Sequence, residues 1–157
     1  MLKIYAKQDH SDLHKHAYDL LLFGMKHDFG FDHTELEICK DKQGKPYFLN
    51  NSYYFSITHT DGLAVVAISD VPVGIDAERE DRLISDKVAK RFLHLDCACV
   101  EDWTRYESLG KMLGCGIPLT KEQMNLSYFH RIYKEVPGYV ICCVTKTYQD
   151  CDRIQIV

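Results

Sequence analysis

The sequence has 157 residues, 46% of them hydrophobic and 27% charged, with a formal net charge of −4 and a pI near 6.0. Such a balance is ordinary for a folded domain and excludes a disordered chain. It offers no general attraction to nucleic acid or to an anionic membrane, so an anionic ligand has to be held by a local cluster of Lys, Arg or backbone N–H groups.

The opening stretch Met1 to Lys7 lacks the sustained apolar run of a signal peptide, and no later segment approaches the length of a membrane span. Ile4 and Tyr5 suit a short first strand. Ser11 or Asp12 can cap a helix from His14 to about Lys26, with Leu13, Ala17, Leu20, Leu21 and Gly24 on one side. Leu36–Cys39 alternates as a strand does and is followed by the turn Asp41-Lys42-Gln43-Gly44. Tyr53–Thr58 is aromatic and β-branched, and Leu63–Ile68 is almost continuously apolar, as in a strand covered on both faces. After the turn Asp70-Val71-Pro72, Val73–Glu78 is expected to return as the second arm of a β-hairpin.

From Ser85 the period changes. Ile84, Val88 and Phe92 recur every four residues and predict a helix, and a second helix is expected over Glu101–Leu113, ending at Gly114 or Gly116. Strands are then predicted over Met124–Tyr133, Tyr139–Val144 and Ile154–Val157. The order of elements gives an α+β fold in two similar halves, residues 1–70 and 71–157, forming one compact unit. The seven cysteines (Cys39, Cys97, Cys99, Cys115, Cys142, Cys143, Cys151) make no CxxC pair, so zinc has little support. Free thiols in a reducing compartment are the simpler expectation, and with it a cytoplasmic protein.

Asp76 and Glu78 are two apart in a predicted strand and leave the same face. Two such carboxylates repel unless a cation or proton lies between them, and oxygen-only donors favour a hard ion such as Mg²⁺. The alternative is a solvated strand face running on into Arg79-Glu80-Asp81-Arg82. Trp103, Glu107 and Lys111 stack at four-residue steps along one helix face. Glu107 could add a third oxygen and Lys111 neutralise a phosphate; an exposed i,i+4 ion pair is the alternative. Phe55-Ser56-Ile57-Thr58-His59-Thr60 sets a histidine among hydroxyls at a strand end, and Gly44-Lys45-Pro46 presents a lysine on a turn.

Taken together and in this order, these motifs resemble the two-lobed, surfactin-synthetase-activator-like class of the 4′-phosphopantetheinyl transferase superfamily, in shortened form. The resemblance rests on Gly44-Lys45-Pro46, Phe55–Thr60, Gly74-Ile75-Asp76-Ala77-Glu78 and Trp103–Lys111. It implies two similar lobes, each a helix packed on a small, mainly antiparallel sheet, with the active site between them. It implies Mg²⁺ held by Asp76, Glu78 and Glu107, and catalytic roles for Glu107, Lys111 and Asp76. Coenzyme A would be bound by Lys45, Thr58, His59, Lys111 and Lys15, the last from the His14-Lys15 pair. The reaction implied is transfer of the 4′-phosphopantetheine arm of coenzyme A to a serine of an acyl, polyketide or peptidyl carrier protein. Adenosine 3′,5′-bisphosphate leaves, and neither nucleic acid nor membrane takes part. A degenerate member that binds coenzyme A or a protein without catalysis is the alternative. Two departures stand out: Tyr106 occupies a position where the family usually has Lys, and the segment between Leu93 and Trp103 is shorter than usual.

Overall fold

The structure, a computed structural model, describes residues 1–157. The first strand, β1 (Leu2–Gln8), leads into α1 (Leu13–Phe29). The carboxylate of Asp12 caps this helix by accepting from the Lys15 N–H at 3.0 Å, a contact worth about 1 kcal/mol. A short hairpin, β2 (Ile38–Lys40) and β3 (Pro46–Phe48), precedes β4 (Tyr54–Thr60) and β5 (Leu63–Ser69). After these come β6 (Val73–Arg79), a turn of helix α2 (Asp86–Val88) that widens into a π-type turn at Ala89–Leu93, and α3 (Val100–Leu113). The chain ends with α4 (Lys121–Met124), β7 (Phe129–Tyr133), β8 (Tyr139–Thr145) and β9 (Gln155–Ile156). No helix is long and apolar enough to cross a membrane.

The larger strands form two sheets, ordered β4-β5-β1-β9 and β6-β8-β7. All pairs in them are antiparallel except β1 with β9, where Tyr5 lies opposite Gln155. The sheets face each other across one apolar cluster that takes Ile4 from β1, Val65 from β5, Ile75 from β6 and Ile141 from β8. The opposite face of the first sheet packs on α1 through Tyr5, Val66, Ile68, Leu20, Leu21 and Met25. The opposite face of the second packs on α3 through Cys142, Val144, Trp103, Leu109 and Met112. The result is a helix–sheet–sheet–helix sequence of layers: an α+β fold of helices on small antiparallel sheets. Both β5 and β8 are buried along their whole length because each is covered on both faces. Adjacent Cys142 and Cys143 accordingly point into different clusters, as strand alternation requires.

Three expectations are corrected. Val73–Arg79 forms a strand, but it is not the hairpin partner of β5. Both edges of β5 are already taken, by β1 (Ile4 opposite Ala67) and β4 (Ile57 opposite Val66), so β6 joins the second sheet and pairs with β8. The strand expected over Met124–Tyr133 is confined to Phe129–Tyr133. Upstream, Thr120 and Gln123 form a reciprocal capping box that starts the short helix α4 instead. The helix predicted from Ile84, Val88 and Phe92 spans only Asp86–Leu93 and loses regular α geometry after one turn.

Candidate active site

β6 is an edge strand, and its neighbour beyond that edge is β4 of the other sheet. The strands meet through side chains. Ser56 Oγ accepts from the Ile75 N–H at 3.1 Å, and Thr58 Oγ1 donates to Asp76 Oδ1 at 3.0 Å. Val73, Ile75 and Ala77 point into the cluster between the sheets, so Gly74, Asp76 and Glu78 point the other way, towards α3. Gly74 lets the helix approach. A Cβ there would lie 2.0 Å from the Ser108 carbonyl oxygen and 2.4 Å from the Met112 nitrogen, both backbone atoms. The Ser108 hydroxyl ties the same helix to β8, 2.8 Å from the Cys142 carbonyl oxygen.

This docking sets Glu107 over Asp76 and Glu78, with one oxygen of each carboxylate within 4.8 Å of the others. Asp76 and Glu78 are buried and Glu107 is half-buried. Two cations flank the group. Lys111 Nζ lies 2.7 Å from Asp76 Oδ1, and Arg82 pairs with Glu78 Oε1 while its guanidinium sits 5.5 Å over the Trp103 ring. Glu107 has no such partner. Burial, and then the charge of Asp76, pushes its carboxyl up from the ordinary 4.5 to about 7. The same two causes raise Glu78, less strongly. One oxygen of Asp76, Oδ2, is buried with no hydrogen-bond donor, a costly state that a cation would relieve. Three converging carboxylates with an unpartnered buried oxygen fit a hard divalent ion.

The carboxylates line a cleft of about 420 Å³ whose opposite wall is His14, Thr58, His59 and Thr60. The rings of His14 and His59 meet edge to face with centroids 6.3 Å apart. Ile57 and Lys111 also line a neighbouring cavity of about 250 Å³, where Gly44-Lys45-Pro46 faces Gly110, Gly114 and Gly116.

No protein-family model matches the sequence. A curated relative, the 4′-phosphopantetheinyl transferase gsp of Aneurinibacillus migulanus, is 36% identical over 92 residues, 50% of this chain and 38% of the relative. Over those residues the chain is similar to a phosphopantetheinyl transferase. It spans about two-fifths of the length of the curated transferase it matches.

The positions singled out by the phosphopantetheinyl transferase motifs fall unevenly around the cleft. Asp76, Glu78, Glu107, Lys111, Thr58 and His59 all line it. Lys45 faces the smaller cavity, its ammonium 2.5 Å and 3.3 Å from the Lys111 and Met112 carbonyl oxygens at the end of α3. Burial pulls its pKa down. Lys15 does not line the cleft; it is exposed on α1 and paired with Asp19 at 3.1 Å, while the preceding His14, also exposed, lines the cleft. Tyr106 points away from the carboxylates. It packs with Phe92 and Trp103, and its hydroxyl accepts from the Leu119 N–H at 2.7 Å. Tyr106 therefore belongs to the apolar contact of α3 with β8 rather than to the carboxylate group.

Sequence reasoning missed Arg82, which reads as one more charge in a surface run. Its four-residue step from Glu78 carries no contact in a strand, and only the bend after Arg79, where the Arg82 N–H bonds the Arg79 carbonyl at 3.1 Å, brings the guanidinium back.

Proposed function

We propose that this protein transfers the 4′-phosphopantetheine arm of coenzyme A to a serine of an acyl, polyketide or peptidyl carrier protein, in the cytoplasm and with Mg²⁺. The observation that carries this reading is the carboxylate group of Asp76, Glu78 and Glu107 with its unpartnered buried oxygen, set beside Lys111 in a cleft walled by His59 and Thr58. The similarity to a transferase over half the chain supports it.

In this reading the halves 1–70 and 71–157 divide the work. Asp76, Glu78 and Glu107, all from the second half, would hold the metal. The chemistry a divalent ion supplies there is neutralisation of the pyrophosphate charge. Lys111 places an ammonium where the leaving phosphate gathers charge. His59, with the facing His14, offers donors to the nucleotide's 3′-phosphate beside Thr58, and Lys45 is the further coenzyme A contact. The carrier serine oxygen forms a bond to the phosphorus that bears the pantetheine arm. The bond from that phosphorus to adenosine 3′,5′-bisphosphate breaks, and the serine proton has to go to a base. Glu107, the least buried of the three carboxylates and open to the cleft, is the group assigned that proton.

The test is covalent labelling. Purified protein incubated with fluorescent coenzyme A, Mg²⁺ and an apo carrier protein should label the carrier, and Asp76→Ala should lower the rate at least about 100-fold, as loss of a charge-stabilising group does. Binding of coenzyme A without labelling of acyl, polyketide or peptidyl carriers would replace transfer with a binding module.

A further inference from the structure

Arg82 is the part of the cleft that the proposed chemistry leaves unused. It is exposed, it bends back from the end of β6 to pair with Glu78, and its guanidinium lies 5.5 Å over the ring of Trp103. It lines the carboxylate cleft and also a second hollow of about 470 Å³ flanked by Leu83, Ile84 and Val100.

Charge balance defines its role. Three carboxylates meet two cations, Lys111 on Asp76 and Arg82 on Glu78. Both cations are thus held by the groups a metal would occupy. A divalent ion held by the three carboxylates would neutralise Glu78 and so weaken its hold on the guanidinium. A guanidinium so freed stands at the mouth of a cleft that has to receive a pyrophosphate, and its planar fork suits two phosphate oxygens at once. The Trp103 face gives it a resting place outside Glu78.

We propose that Arg82 is a phosphate-binding residue held in reserve: Glu78 restrains it until a divalent cation binds, and it then turns to the anionic substrate. This rests on the metal and coenzyme A reading above. It adds an order of events, cation before substrate, and a second positive contact opposite Lys111.

Trp103 is the only tryptophan in the chain, so all tryptophan emission comes from the ring beneath this guanidinium. The experiment titrates the whole protein with Mg²⁺, without coenzyme A, recording tryptophan emission and, in parallel, heat of binding. Mg²⁺ should bind and change the emission of the native protein. In Arg82→Ala it should bind at least as tightly, with no emission change. Arg82→Lys should restore part of the emission response but not the two-oxygen contact. In coenzyme A binding with Mg²⁺ present, Arg82→Ala should weaken affinity roughly tenfold or more, as loss of a charge-assisted hydrogen bond does, and without Mg²⁺ the two proteins should bind alike. Binding of Mg²⁺ with unchanged native emission, or with the same change in Arg82→Ala, overturns the role of Arg82 and leaves the metal site standing. No heat of Mg²⁺ binding in either protein overturns the metal site itself, and the inference with it.

Discussion

At the scale of single residues, the cleft is governed by one unmatched charge. Asp76 has Lys111 and Glu78 has Arg82, whereas Glu107 faces the same pair of carboxylates with no cation of its own. Its carboxyl is therefore raised from 4.5 to about 7 in the folded protein. A raised carboxyl means that the folded state holds a proton the unfolded state has released. The associated stability is complete below pH about 4.5 and is lost as pH climbs to about 7. The metal-free protein should accordingly show a falling thermal midpoint between pH 5 and pH 7.5. Glu107→Gln should flatten that profile and raise the midpoint at pH 8 by about 3 °C, taking 1 kcal/mol as 2–4 °C at this chain length. A Glu107→Gln profile with the same slope as the native protein over that interval would refute the unmatched charge. Metal binding has to expel that proton, so Mg²⁺ affinity should increase by roughly tenfold per pH unit below 7 and level off above it. Titration calorimetry in buffers of different ionisation enthalpy reads the proton directly.

At the scale of elements, the site depends on how closely α3 lies on β6. Gly74 has no room for a methyl group: the clashing atoms are the Ser108 carbonyl oxygen and the Met112 nitrogen, which belong to a helix already bonded to β8 through Ser108. Neither can rotate away. Gly74→Ala should cost about 3 kcal/mol in urea unfolding, the upper end for overpacking, and should lift Glu107 and Lys111 off Asp76, so that Mg²⁺ binding disappears in the fraction that folds. A variant of native stability that binds Mg²⁺ would show that the contact is dispensable. This dependence also marks what the sequence makes legible. The period-two and period-four patterns locate β6 and α3 and assign Asp76, Glu78, Glu107 and Lys111 to the correct faces, because alternation within one element is a local property. Which strand β6 joins is not local. It is decided by β1 and β4 occupying both edges of β5, and β1 lies far away in sequence, with Ile4 paired to Ala67. Arg82 is missed for the same reason. The bend after Arg79 exists only once the layers are assembled.

At the scale of the whole molecule, the layers set how the two halves share stability. The cluster between the sheets draws Leu2, Ile4, Leu63 and Val65 from the first half and Val73, Ile75, Tyr139 and Ile141 from the second. The last strand returns to the first sheet, where Ile156 lies opposite Ala6. Neither half can separate without exposing that cluster, at about 25 cal/mol for each Å² of apolar surface uncovered. The cleft crosses the same boundary, with carboxylates on one side and His14, Thr58 and His59 on the other. Folding and site assembly are therefore expected to be one event. In urea, the emission of Trp103, which reports on the second half, should follow the far-ultraviolet circular dichroism of the whole chain in a single coincident transition. Coenzyme A with Mg²⁺ should move both midpoints by the same amount, since a ligand that spans the cleft stabilises only the joined state. Separate transitions, or a shift confined to the Trp103 signal, would mean that the second half folds and binds on its own and that the shared cluster contributes less than its burial implies.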